Sequence, residues 1–170
     1  MHHRTIRTLS LVALALVGGL LTSSCSASPA NAAGSWSMNL TNGANGCMFS
    51  NWTVGDTTTG VPVTITQSGA SVTLLVTGGY ATALDLLVGG HEFTGAVDGN
   101  HVNARLTGRA GSTGGCAYTT VGDLEGTLSG DTITGNLSWS YDTNSSADCG
   151  MYAVCETLQA MNGTRPPTSM

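Results

Sequence analysis

From Ser35 onward, apolar side chains recur at every second residue. Trp36, Met38 and Leu40 alternate with serine and asparagine. Val61, Val63 and Ile65 alternate with Pro62, Thr64 and Thr66, and Val72, Leu74 and Val76 follow with the same period. A period of two puts these side chains on one face of extended strands, so the chain must build a sheet with one buried side. No segment in this region carries a capped helical stripe, and an all-β fold is expected.

A repeat organises the alternation. Residues 93–106 (FTGAVDGNHVNARL) align with residues 124–137 (LEGTLSGDTITGNL) at a spacing of 31. Each reads as a hairpin around a two-residue loop with glycine first, Gly99-Asn100 and Gly130-Asp131, which suits a type II′ turn. That register pairs Val97 with Val102, Phe93 with Leu106, Leu128 with Ile133 and Leu124 with Leu137. Every apolar residue then meets an apolar partner, and a slip by one residue would turn the core face to water. A third loop at Ser68-Gly69 would pair Ile65 with Val72 and Val63 with Leu74. Gly95, Ala104, Gly126 and Gly135 face one another within the hairpins, which marks strong coiling or close packing at barrel bends. Two copies are too few for a solenoid or propeller.

Counted this way, strands begin near residues 35, 47, 61, 71, 82, 91, 101, 117, 132 and 152. Successive hairpins give an antiparallel up-and-down meander, and a sheet this long curls and closes to remove its edges. The expectation is a closed or nearly closed barrel of about 8–10 strands. It occupies residues 34–166, with a tether over 25–33 and a disordered tail over 167–170. If strand directions alternate, Cys47, Cys116, Cys149 and Cys155 all fall at one rim, and closure brings the last strand beside the first. Cys116–Cys149 and Cys47–Cys155 are then the nearest-neighbour disulfides, with a local Cys149–Cys155 bridge as the rival. The even set lacks the paired C-x-x-C clusters of a zinc site, so disulfides are favoured over metal.

The N-terminus carries an address. Arg4 and Arg7 precede an uncharged apolar run over residues 9–21, and small residues follow it. That layout is a secretory signal over residues 1–24. The run, about thirteen residues, is short of the ~20 needed to span a bilayer. With Cys25 directly after Ser23-Ser24, the segment resembles a bacterial lipoprotein signal, although Thr22 stands where that family usually has a branched aliphatic residue. The resemblance implies cleavage before Cys25, acylation of Cys25 by chains such as palmitate, and anchoring to a membrane. Ser26 after the cysteine implies the outer membrane in a host that has one. An alternative cut after Ala32, in Ala30-Asn31-Ala32, would leave a plainly secreted protein.

Charge narrows the partners. The chain has no lysine, and beyond the signal three arginines face ten acidic residues, a net of −7. Such a surface excludes nucleic acid as a partner, because phosphates need clustered basic groups. It also disfavours anionic lipid surfaces. The domain further resembles lipocalin-like and avidin-like barrels, on Gly34-Ser35-Trp36 at the opening of the first strand, Arg165 after the last, and the meander itself. The resemblance implies that Trp36 plugs one barrel end with Arg165 laid over it. It implies a fold, not a function.

Candidate chemistry is sparse. His91 falls in phase with Phe93 and reads as an inward residue near a rim, whereas His101 falls outside, opposite Asp98. Asp123 and Glu125 share a face, as paired glycosidase carboxylates must, but alternation with Leu124 puts them on the water side. No nucleophile elbow, phosphate loop or metal set is present, and neither catalysis nor a cofactor is expected. The N-x-[ST] triplets at Asn39, Asn51, Asn136, Asn144 and Asn162 read as by-products of strands and turns rich in asparagine and threonine. Three readings follow. One is a non-catalytic binding module of the cell envelope whose barrel holds a small apolar ligand. The second is a structural, interaction or inhibitor protein that meets an exported partner through rim loops at residues 43–46, 108–115 and 142–148. The third is a hydrolase with an unrecognised site. A hollow interior favours the first and a filled one the second.

Overall fold

The structure, a computed structural model, describes residues 28–166; the signal segment, Cys25 and the tail after Pro166 lie outside the described residues. Eight strands follow in order: β1 (Gly34–Asn45), β2 (Thr57–Ser68), β3 (Ser71–Val76), β4 (Glu92–Asp98), β5 (His101–Thr113), β6 (Cys116–Ser129), β7 (Thr132–Thr143) and β8 (Thr157–Thr164). Each pairs antiparallel with its sequence neighbour, and β8 pairs with β1 to close the barrel. A helix, α1 (Gly79–Leu87), links β3 to β4, and a short 3₁₀ segment (Ala147–Ala153) links β7 to β8.

Two of the ten strand starts expected from the alternation are not strands. The chain near residue 47 forms a loop, where Met48 takes a positive φ of 57°. The Asn45 amide brackets this loop by accepting from the Phe49 N–H at 2.8 Å and donating to its carbonyl at 2.9 Å. The chain near residue 82 is α1, and no residue of that helix is buried, so its apolar residues never belonged to the wall. The last strand starts at Thr157 rather than near 152. The two surplus strands cancel in parity, so every strand from β4 onward runs in the expected direction.

The hairpin registers place Val97 opposite Val102, Leu128 opposite Ile133 and Leu124 opposite Leu137. The β2–β3 hairpin differs from expectation. Ile65 pairs with Leu74 and Gln67 with Val72, because the loop is Gly69-Ala70, one residue later than the one read from the alternation. All three two-residue loops thus begin with a positive-φ glycine, Gly69, Gly99 or Gly130, followed by a residue with negative φ, the type II′ pattern. At the tightest crossings a side chain has no room. A Cβ on Gly95 would collide with the Asn103 carbonyl, and one on Gly135 with the Glu125 carbonyl.

The three hairpin loops, the entry of β1 and the exit of β8 share one end of the barrel, and that end is packed shut. Trp36, Ile65, Val97, Val102, Leu128 and Ile133 are buried there. The Trp36 Nε1–H donates to the Ala32 carbonyl at 2.9 Å, and the Arg165 guanidinium lies 4.9 Å from the centre of the indole ring. Arg165 also donates to Asp131 at 2.9 Å and to the Ala33 carbonyl at 2.7 Å. Outside, the wall shows Ser35, Ser37, Thr94, Asn103, Arg105, Glu125 and Asn136 to solvent. Polar residues outside and apolar residues inside is the reverse of a membrane-spanning barrel.

Candidate functional site

The opposite end is open. From it a cavity of about 560 Å³ runs into the upper half of the barrel. Its walls are the inward residues of the strands: Met38, Val61, Val63, Leu74, Val76, Leu124, Leu137 and Met161. Phe93 and Trp139 add aromatic surface, with their rings edge to face at 6.3 Å. These residues face inward because the two-residue period demands it. They leave a void because, above the packed end, the side chains do not meet across the lumen. A void of this size lies within the range of small-molecule pockets and is lined as they are, by apolar and aromatic groups with a few fixed polar ones.

Two structures frame the mouth. On one side the β1–β2 loop brings Phe49 and Trp52 over the opening, with ring centres 5.9 Å apart. The Trp52 Nε1–H donates to the Gly43 carbonyl at 2.9 Å, and the Cys47–Cys155 disulfide ties the loop to the chain entering β8. Next to that loop, α1 contributes Tyr80, Leu84 and Leu87. Its C-terminal end is held to β5 by Arg109, which donates to the Asp85 carbonyl at 3.2 Å. The second disulfide, Cys116–Cys149, pins the 3₁₀ segment to the start of β6. All four cysteines sit at this rim, joined as the alternating strand directions require.

The lining also carries polar side chains, among them Ser50, Asn51, Thr58 and Thr120, and one hydrogen-bonded amide pair. Asn42 on β1 and Gln159 on β8 lie opposite each other and face the lumen. The Trp139 Nε1–H donates to Gln159 Oε1 at 3.0 Å, and Gln159 Nε2 donates to Asn42 Oδ1 at 2.9 Å. Tyr141 lines the mouth, where Tyr118 and Tyr152 pack against it with ring centres 5.4 and 5.1 Å away. Burial, and then the neighbouring Tyr152 and Tyr118, raise the Tyr141 hydroxyl above its ordinary value of 10.0. No lining residue is an acid, a histidine or a cation.

The residues singled out for chemistry lie elsewhere. His91 does not point into the barrel. It stands before β4 begins, outside the strand phase, and its Nδ1 lies 2.7 Å from Asp85 Oδ1 on α1. His101 is exposed on the outer wall opposite Asp98, with its ring 3.4 Å from the Thr127 hydroxyl. Asp123 is ion-paired on that wall with Arg105 at 3.3 Å, which also reaches Asp142 at 2.7 Å. Glu125 borders a shallow polar trough with His101 and Asn103. Among the described residues no three His, Cys, Asp or Glu side chains form a group able to hold a metal ion. Sequence reasoning missed the Asn42–Gln159 pair. The available signal was an amide at an inward position on each of the two strands that close the barrel.

Comparison with protein-family models, with curated proteins and with solved structures yields no match.

Proposed function

We propose that this protein is an exported, lipid-anchored, non-catalytic binding module of the cell envelope, whose barrel holds a small apolar ligand. The observation that carries the reading is the open apolar cavity of about 560 Å³. An eight-stranded barrel is just wide enough to hold one small ligand, and barrel mouths are common sites for one. The absence of acids, histidines and cations among the lining residues supports binding rather than hydrolysis.

The closed end supports anchoring through Cys25 over release after Ala32. Ala32 is fully buried, donates its N–H to Gln67 Oε1 at 2.7 Å and accepts from Trp36. A cut after Ala32 would remove the residue that Trp36 and Gln67 hold. Because β1 begins at the closed end, an anchor on Cys25 sets that end toward the membrane and the mouth away from it. Replacement of Cys25 by serine then releases the protein from membranes, and persistent membrane association of the variant contradicts the anchor.

Binding is tested with the uncharged dye N-phenylnaphthylamine. The reading expects saturation at one dye per chain with quenching of Trp139; absence of saturable uptake contradicts it. One observation favours the second reading, recognition of an exported protein at the rim. Met48, Val54, Leu86, Leu87, Met151 and Val154 are all exposed apolar residues of the segments around the mouth. Capture of a specific exported partner that is lost when Leu87 and Val154 become serine would support that role beside ligand binding.

A further inference from the structure

Resting on the reading that the cavity holds an apolar ligand, we propose that this ligand is uncharged and carries an acceptor oxygen, of carbonyl or ether type, that meets the side-chain amide of Asn42.

The neutral character follows from the walls. The residues lining the cavity include no acid, histidine, lysine or arginine, and tyrosine hydroxyls are their only titratable groups. A charged head drawn into such a chamber loses its hydration with no counter-charge to replace it, at a cost no apolar wall offsets. Fatty-acid anions and ammonium ions are therefore selected against.

The acceptor oxygen follows from a chain of hydrogen bonds with only one polarity. An indole N–H can donate and cannot accept. Since Trp139 donates to Gln159, the atom it meets must be the amide oxygen, which fixes which way the Gln159 amide faces. Gln159 Nε2 is then the atom turned toward Asn42, so the atom it meets must be Asn42 Oδ1. Asn42 Nδ2 is left as the end of the relay, a donor with no acceptor among the described residues. The strand backbone holds it in place, because the Asn42 N–H donates to the Asp56 carbonyl and its carbonyl accepts from the Gly55 N–H, each at 2.8 Å. The cavity thus presents, beside the hydroxyls and amide of Ser50, Asn51, Thr58 and Thr120, one donor held in orientation by a hydrogen-bonded relay. An alkane would cover that donor without satisfying it, at a cost of about 1–3 kcal/mol, whereas a carbonyl oxygen satisfies it.

The test is displacement of N-phenylnaphthylamine from the exported protein carrying Cys25→Ser, which needs no detergent. The competitors are methyl nonyl ketone, dodecane and undecanoate, matched in length. The ketone is expected to displace the dye about tenfold more tightly than dodecane, with undecanoate weakest. Asn42→Leu should bring the ketone down to the level of dodecane, each competitor being compared against the dye affinity of that same variant. Gln159→Met, which breaks the relay one step earlier, should narrow the same gap. Equal displacement by ketone and dodecane overturns the donor assignment and leaves the apolar-cavity reading standing. Undecanoate as the best competitor overturns the neutral-ligand assignment. If neither the dye nor any competitor binds, the cavity reading fails and this inference fails with it.

Discussion

Gly122 on β6 lies directly against the ring of Trp139 on β7, its cross-strand partner: a Cβ built on the glycine would stand 2.7 Å from Cζ3 of the indole. The missing side chain leaves the space that the Trp139 indole, one of two that line the cavity, occupies against β6. Gly122→Val should push Trp139 inward and weaken dye binding at least tenfold. Its cost in stability should be about 1–3 kcal/mol, typical of overpacking. Titration with the dye and urea unfolding of the same preparation check both parts. Undiminished binding would show that the ring position does not shape the cavity.

The disulfides differ in loop length and in task. Cys47–Cys155 spans 108 residues and Cys116–Cys149 spans 33. Chain-entropy reasoning puts their contributions at about 4.8 and 3.7 kcal/mol. The double variant Cys47→Ser with Cys155→Ser should lose more stability than Cys116→Ser with Cys149→Ser. Only the first pair frees the loop carrying Phe49 and Trp52, so ligand release should accelerate more in that variant. Unfolding midpoints and stopped-flow dye release measure the two effects separately.

The closed end should be separable from the cavity. Trp36→Ala removes a buried plug and should cost about 3–5 kcal/mol. Arg165→Ala loses the stacked guanidinium, the bond to Ala33 and the pairing with Asp131, and should cost about 2 kcal/mol. Neither residue lines the cavity, so dye affinity of the folded fraction should stay within twofold of wild type. A large loss of affinity in Arg165→Ala would mean that the two ends are coupled.

Tyr141 sets an alkaline limit. Burial, then Tyr152 and Tyr118, raise its hydroxyl above 10.0. A group that ionises later in the folded state favours folding while it stays neutral. Its contribution is complete below about pH 10 and is lost as pH rises through the folded-state value. A phenolate that appears above pH 10 in an absorbance titration should therefore vanish in Tyr141→Phe. That variant should also hold its stability further into alkali than wild type. Ionisation of Tyr141 at or below its ordinary value of 10.0 would contradict the burial argument.

The parts legible in the sequence were those governed by local rules. Gly99-Asn100 and Gly130-Asp131 announce their hairpins because a glycine-first loop and an apolar register agree on one answer. Local rules do not reach α1. Its residues 79–87 lack a side-chain cap and bury no residue, so the helical spacing of Tyr80, Leu84 and Leu87 at the cavity mouth competes with the strand-like alternation of Leu84, Leu86 and Val88. The loop at 46–56 misleads in the same way, since Cys47 and Phe49 alternate while Met48 turns the chain. The disulfide pairing withstands both errors because they cancel in strand parity. The cavity was beyond reach for a different reason. Val63 and Leu137 point inward whether or not the lumen is filled, and only the closed geometry shows that side chains stop meeting above the packed end.

The most direct test of a ligand-holding barrel is the native mass of the exported Cys25→Ser protein, compared with its denatured mass. A reproducible adduct that is lost on denaturation, on a chain with both disulfides formed, is the predicted result, and the difference gives the ligand's mass. A bare native mass that stays bare after equilibration with methyl nonyl ketone and dodecane would contradict the account.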